Sequence, residues 1–374
     1  MSRRRVLFVM LICFMFFNLC DLFANDQGIL DQAKSYIQSA NQLLSHDDSS
    51  PDDLKEMIRN INLATASVTS LKEINSDDIV GQMQRLFYQL NLRLDQIIDA
   101  QKRTSDILII NSDNRIKKYM ISQDSYEKSM DRYLPVINLN EFDAPIEDHI
   151  KYIYCIGSKA IKKAQKKNDV SLFFSSALNW KRLGLSDRFY GVSNELDVAM
   201  QVMMFKYFFP EIKTIGVIYT PEYNAEWVEE LKVVSKALGI SIVAKKAMGS
   251  FLSKKTIQKV MDQSEFFWVI SDPAVMNSDS INLIFKVAKK LNKAVVGNND
   301  ALLKLGAIFS ISADQATIGR QVSMLTKRVI SEESISQRVE FPMGTFISIH
   351  LSHIYDLGIN YNKDALGAAN LIIE

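Results

Sequence analysis

Cysteine and histidine are scarce in these 374 residues, and charge of either sign is hardly in excess. There are three cysteines and four histidines, and the basic residues outnumber the acidic ones by one, 44 against 43. A net charge near zero offers nucleic acid or a strongly acidic partner nothing to hold. Cys13 and Cys20 fall in the first 24 residues, so removal of that segment leaves Cys155 alone. One thiol excludes an internal disulfide framework. Cys155 sits in an apolar run and reads as buried and inert. The histidines are His46, His149, His350 and His353, and no cysteine or acid cluster joins the last two. The last two lie three apart in a segment that reads as extended, so no metal site is expected. Signatures of catalysis are missing as well: there is no G-x-S-x-G elbow, no P-loop and no G-x-G-x-x-G. Neither an enzyme nor a cofactor is expected.

Residues 1–24 stand apart. Three arginines at 3–5 precede an apolar run at 6–17, and a short neck ends at Ala24. This reads as a secretory signal, too short for a comfortable membrane span. Export to the periplasm follows from it. Cys20 would be the point of a lipid anchor, but Leu19 stands where a small residue is expected.

Residues 25–103 show helix periodicity and no strand. One stripe is Ile29, Ala33, Tyr36, Ala40 and Leu43; a second runs from Leu54 to Leu71, opened by Ser50 and Pro51; a third runs from Ile79 to Ile97. Spacings of three and four predict a small helical bundle or hairpin. From residue 104 strands and helices alternate, which argues α/β with parallel sheets. The expected strands are 107–111, 136–138, 151–156 and 172–174, then 214–218, 241–244, 266–270 and 294–296. A break in the rhythm at 178–194 suggests passage between two halves. Later extended segments suggest further crossings, which would form a hinge. The expected lobes are 104–191 with 307–340, and 192–306 with 341–374.

The stretch at 190–224, YGVSNELDVAMQVMMFKYFFPEIKTIGVIYTPEYN, organises the second half. It predicts a helix from Ser193–Asn194 that buries Leu196, Met200, Met203, Met204 and Tyr207, closed by Pro210. A strand and a second helix follow, the latter facing inward through Trp227, Leu231, Val234 and Leu238, with Gly239 after it.

Ligands of open parallel sheets sit beyond the carboxyl ends of the strands. The residues there are Ser112, Asp113, Gly157, Ser158, Ser175 and Ser176 in the first half, and Tyr219, Thr220, Asp272, Asn298 and Asp300 in the second. Gly157 and Ser158 open a helix, where free N–H groups favour an anion such as a carboxylate. Asp272 or Asp300 would pair with an ammonium group, and Tyr219 or Tyr190 would stack on a ring. Each of these residues also serves as an ordinary cap or strand end.

The 190–224 stretch resembles the central signature of the ABC-transporter substrate-binding proteins: a G-V-S segment, a helix with Gln, a P-x-x-K turn, then G-V-x-Y-x-P. Supporting matches are YCIGSKAIKKA, ALGISIV, FFWVISDPAVMNSDSI, KKLNKAVVGNNDALLKLGAIFSISADQATIGRQVSML and HLSHIYDLGIN, in order from about residue 106 to the end. The resemblance implies a type I periplasmic-binding-protein fold, with two α/β lobes around a hinge, preceded here by an all-α helical module. It also implies a small-molecule ligand bound without chemistry, an amino acid in some members. The implied partner is an ABC permease; for a sensory or scaffold role it would be another membrane protein, with the helical module docking on it.

Overall fold

The computed structural model describes residues 26–46, 49–71, 76–141, 144–177, 180–249 and 251–374; the expected signal segment lies outside them. The chain divides into two compact units, Met1–Ser105 and Asp106–Glu374.

In the first unit the described elements are three helices, α1 (Asp26–Ser45), α2 (Pro51–Thr69) and α3 (Ser76–Thr104). The Ser50 hydroxyl accepts the Asp53 N–H at 3.1 Å and Pro51 is the first helical residue, so the start of α2 is set locally. Leu30, Ala33, Ala40 and Leu43 of α1 pack with Leu54, Met57, Ile61 and Val68 of α2 and with Ile79, Met83, Leu86, Leu90 and Leu94 of α3. The three- and four-residue spacings therefore become one shared core.

The second unit runs β1 (Ile107–Asn111), α4 (Lys117–Met130), β2 (Val136–Asn138), β3 (Tyr152–Ile156), α5 (Ser158–Ala164), β4 (Ser171–Ser175), a 3₁₀ turn (Trp180–Leu183) and β5 (Phe189–Val192). It continues with α6 (Val198–Phe208), β6 (Thr214–Tyr219), α7 (Pro221–Ala237), β7 (Ser241–Lys246), α8 (Lys254–Asp262), β8 (Phe266–Val269), α9 (Ser278–Leu291) and β9 (Ala294–Gly297). Then come a 3₁₀ turn (Asp300–Leu305), β10 (Phe309–Ala313), α10 (Gln315–Ile330), β11 (Val339–Glu340), β12 (Thr345–His350), α11 (Leu351–Asp356), a 3₁₀ turn (Lys363–Ala368) and β13 (Leu371–Ile373).

Two sheets result, ordered β11-β5-β4-β3-β1-β2 and β13-β12-β10-β9-β8-β6-β7. Every pairing is parallel except β10 with β12. Both faces of each sheet are covered, which is why the strands are nearly continuous apolar runs. In the first sheet Ile107, Ile109, Tyr154 and Phe173 face Tyr126 of α4 and Val322 of α10, while Leu108, Ile110, Cys155 and Phe174 face Ala160 and Ile161 of α5. In the second, Val217, Trp268 and Phe309 face α6, and Phe267, Val269 and Val295 face Val260 of α8 and Ile284 of α9.

Three segments carry the chain between the lobes: residues 193–197, Asp314, and residues 341–344. The second is bonded to the third, Asp314 N–H donating to Gly344 O at 3.0 Å, and Ser193 N–H of the first donates to Glu340 O of β11 at 2.9 Å.

Several expectations change. Residues 307–313, assigned to the first lobe, belong to the second, because Phe309 and Ser310 pair with Val296 and Gly297 of β9. The crossing comes at Asp314, after which α10 lies on α4 so closely that a Cβ on Gly319 would sit 2.2 Å from Ser122 O. The stretch expected as a break contains β5, whose Phe189, Tyr190 and Gly191 pair with β4. Helix α6 starts at the Asp197 cap, and it exposes Met203 and Tyr207 while burying Val202, Phe205 and Phe208. The helix is apolar on all sides, and the aromatic edge contacts of Phe205 and Phe208 with Trp268 and Phe309 select the face. His353 lies in a helix rather than an extended segment, its ring stacked on that of His350 at 3.6 Å. The C-terminal helix expected at 363–370 is the short 3₁₀ turn, followed by β13 at the sheet edge.

Candidate functional site

A cavity of about 730 Å³ opens between the lobes. The first lobe lines it with Lys118 at the start of α4, Trp180, Lys181 and Arg182 of the 3₁₀ turn, and residues 337 and 339–341. The second lobe supplies residues 221–227 and Glu230 of α7, Trp268, Ile270 and Ser271 at the end of β8, and Asn298 after β9. The back is made by the crossing segments, with Asn194, Leu196, Ala313 and Gln315.

The lysines and arginine of this cleft all stand on the first-lobe wall, where Glu340 also lies, held by Arg328 at 3.7 Å and Gln321 at 2.8 Å. Lys118, Lys181 and Arg182 stand on one wall. Glu222, Glu226 and Glu230 of α7 stand on the other. Two contacts bridge the walls. Arg182 lies over the Tyr223 ring, 4.3 Å from its centroid, and Lys118 reaches Asp300 at 3.7 Å. Behind the charges the lining is aromatic and aliphatic. Trp227 meets Trp268 edge to face at 5.2 Å, and Leu196, Ile270 and Ile311 fill in around them.

Gln315 knots the hinge. Its Oε1 accepts from Ser176 Oγ at 3.0 Å, and its Nε2 donates to Asn194 Oδ1 at 2.8 Å and Ala313 O at 3.2 Å. Ser176 is held at φ +57 to make that contact.

Of the residues singled out from the sequence, Asn298 lines the cleft directly. Several others stand one step behind it. Ser176 holds Gln315 and Asp300 pairs with Lys118. Asp272, 1% exposed, receives Thr220 N–H at 2.7 Å, Thr220 Oγ1 at 2.8 Å, Asn224 Nδ2 at 2.7 Å and Ala274 N–H at 2.9 Å. Its carboxylate is thus committed to the turn that opens α7, and the Asn224 contact coincides with a kink there (φ −131, ψ 15).

The remaining positions pack the first lobe or the core. Ser112 Oγ accepts the Ala160 N–H at 3.0 Å, taking up a donor at the start of α5. Gly157, at φ +84, leaves room for this: a Cβ there would lie 2.8 Å from Ser112 Oγ and 2.9 Å from the Tyr119 hydroxyl. Ser158 is the first residue of α5 and half-buried. Asp113 is clamped by Arg115 at 2.7 and 2.9 Å, and that hydrogen-bonded guanidinium brings its pKa down to about 2. Ser175 Oγ lies 2.6 Å from the Tyr154 hydroxyl, whose pKa burial pushes up to about 12. Tyr190 stacks on Phe173 at 5.6 Å, and Tyr219 is buried in the second lobe.

Sequence reasoning missed Trp180, Arg182, Tyr223, Trp268 and Gln315, and it placed Trp227 on a core face. One signal was available: Tyr223 and Trp227 are four apart, and each directly follows an acid, Glu222 and Glu226. Among the described residues no group of three or more histidine, cysteine or acidic side chains is placed to hold a metal ion.

Two α/β lobes joined by three crossing segments around a cleft define a hinged binding fold of the type I periplasmic-binding-protein kind. The family model of the ABC transporter substrate binding proteins matches residues 179–371, more than half of the chain, and the chain belongs to that family. Solved structures agree in fold. A conserved domain protein from Vibrio cholerae is 17% identical, with 71% of this chain and 99% of that one covered and a TM-score of 0.50. The ABC domain from Streptococcus pneumonia in complex with L-Trp is 15% identical over 71% and 99%, at 0.52. The ligand-free, open form of a substrate-binding protein with adhesive properties from Clostridium difficile is 18% identical over 71% and 98%, at 0.56. No curated protein matches the sequence at a significant level.

Proposed function

We propose that this chain is an exported solute-binding protein that closes its two lobes on an amino acid or a related small carboxylate and presents it to an ABC permease. The observation that carries this reading is the placement of charge in the cleft. Cations at Lys181 and Arg182 face carboxylates at Glu222, Glu226 and Glu230, with aromatic rings between them. A zwitterion with an apolar body matches both walls at once. Binding would favour the closed state through its contacts to both lobes, and differential affinity is what shifts such an equilibrium. The L-Trp in the Streptococcus pneumonia structure supports a ligand of this kind. Delivery to the periplasm rests on residues 1–24; among the described residues no helix is long and apolar enough to cross a membrane.

Thermal unfolding against a panel of amino acids and small carboxylates tests the reading. A ligand of the folded state at a hundred times its Kd adds about 2.7 kcal/mol, a readily visible shift. A shift that disappears in Arg182→Glu combined with Glu226→Lys supports capture in the cleft. No shift across the panel overturns it.

A second reading has its own observation. The helical unit exposes Leu63, Tyr88 and Leu92, apolar side chains that would suit docking on a membrane protein in a sensory or scaffold role. Co-purification of a sensor protein in place of a permease, lost on Tyr88→Glu with Leu92→Glu, would favour it.

A further inference from the structure

Trp268, 1% exposed, is the most enclosed tryptophan of the cleft, and its indole Nε1 has no hydrogen-bond partner. The rings packed on it, Phe205 at 4.6 Å and Trp227 at 5.2 Å, carry no lone pair that could accept. Asn298 is in the complementary position. Its Nδ2 donates to Ser271 Oγ, and its Oδ1 is buried without a partner. Among the described cleft-lining side chains, these two alone hold a buried, unpartnered polar atom.

They are also neighbours by construction. Trp268 pairs with Val296 and Val269 with Gly297, and Asn298 follows Gly297 directly, in the bend where the chain leaves β9. A buried polar group left unmatched is costly in a folded chain, and most have a partner. Two such groups of opposite sense lining one cleft make a matched receptor.

We propose that Trp268 and Asn298 form a subsite for a neutral ligand group that both accepts and donates a hydrogen bond: a hydroxyl, a phenol or a carboxamide. The inference rests on the cleft being the solute site. An indole N–H only donates and an amide oxygen only accepts. A hydroxyl accepts from Trp268 and donates to Asn298, and a carboxamide does the same with its two ends. A carboxylate cannot donate to Asn298, an ammonium group cannot accept from Trp268, and a hydrocarbon satisfies neither. The charged end of the solute is thereby left to the rim, and its far end is read at the floor.

Calorimetric titration of the full chain with matched pairs tests this: L-tyrosine against L-phenylalanine, L-glutamine against L-methionine, and L-threonine against L-valine. The hydroxyl or amide member of at least one pair should bind roughly ten- to a hundred-fold more tightly, as sites built to hydrogen-bond reject analogues that leave them unpaired. Trp268→Phe and Asn298→Leu should each remove most of that preference. The Trp268 indole N–H signal, assigned by its loss in Trp268→Phe, should move downfield with the preferred member only. Equal binding within every pair, or a preference that survives both substitutions, overturns the subsite while solute capture stands. Binding of none of the six overturns the amino-acid reading instead. Phenol and benzamide then decide the subsite: a moved Trp268 signal retains it, and an unmoved one overturns it.

Discussion

The guanidinium of Arg182 sits 4.3 Å from the centre of the Tyr223 ring, joining the two walls of the cleft without a ligand between them. Both groups are at the solvent-exposed mouth, where a cation–π contact is worth about 0.5–1 kcal/mol. Arg182→Ala should therefore release the mouth and raise the ligand association rate about two- to five-fold. Stopped-flow tryptophan fluorescence measures this. An association rate equal to or below that of the native chain would show that the contact does not restrain the mouth.

Gln315 ties together the strand end at Ser176 and two crossing segments. Replacing it with leucine leaves Ser176 and Asn194 without their partner in a buried setting, at a cost of about 1–3 kcal/mol for each stranded group. Gln315→Leu should lower the urea midpoint accordingly. It should also broaden the distribution of lobe separations seen by small-angle scattering.

Glycines at 81 and 319 should respond in opposite ways. A Cβ at Gly319 would stand 2.2 Å from the backbone oxygen of Ser122, so Gly319→Ala forces α10 off α4 and should destabilise by about 1–3 kcal/mol or more. At Gly81, inside α3, the nearest atom to a new Cβ is the flexible end of Arg85 at 3.6 Å. Gly81→Ala should stabilise the helical unit by about 0.5–1 kcal/mol through helix propensity. Denaturant unfolding followed by circular dichroism compares the two, and a stable Gly319→Ala chain would contradict the close packing described.

Alkaline pH should loosen the first lobe. Burial raises the Tyr154 hydroxyl to about 12, and burial raises Tyr126 beside it too. The unfolded tyrosine ionises near pH 10, so between about 10 and 12 the unfolded chain sheds a proton that the folded chain keeps. The contribution is complete below pH 10 and is lost as pH rises through 12, about 2–3 kcal/mol for one such group. The urea midpoint of the native chain should fall across that window. Tyr154→Phe should start lower, because Ser122 and Ser175 lose the hydroxyl both of them bond at 2.7 and 2.6 Å, and should fall less steeply. Parallel slopes for the two chains would remove Tyr154 from the account.

Cys155 illustrates what one-dimensional reading reaches. An apolar run of strand length implies a buried thiol, and the side chain is fully buried in β3, its pKa pushed up by that burial. The helix stripes of residues 25–103 were legible for the same reason, since a period of 3.6 residues is local information. The course of residues 307–313 was not. A short apolar strand suits either sheet, and only pairing with β9 and β12 settles its lobe. Likewise α6 presents apolar side chains all round, so no periodicity says that Met203 and Tyr207 face outward.

The candidate site divides along the same line. Strand ends such as Ser112, Gly157 and Asp272 can be read off the chain, and each lies where a strand gives way to a turn or helix. Their hydrogen bonds are then consumed locally: Ser112 Oγ takes the Ala160 N–H, the Gly157 N–H goes to Ser175 O and Asp272 takes the Thr220 N–H, which no spacing rule foresees. Alternation of strands and helices and the family signature were determined by sequence alone, because each is a pattern within a few tens of residues. The cleft itself was decided by tertiary structure. It brings Lys118, Arg182, Trp268 and Asn298 from four separate elements to one place, and whether a polar atom there is satisfied or left open depends on what the fold puts beside it.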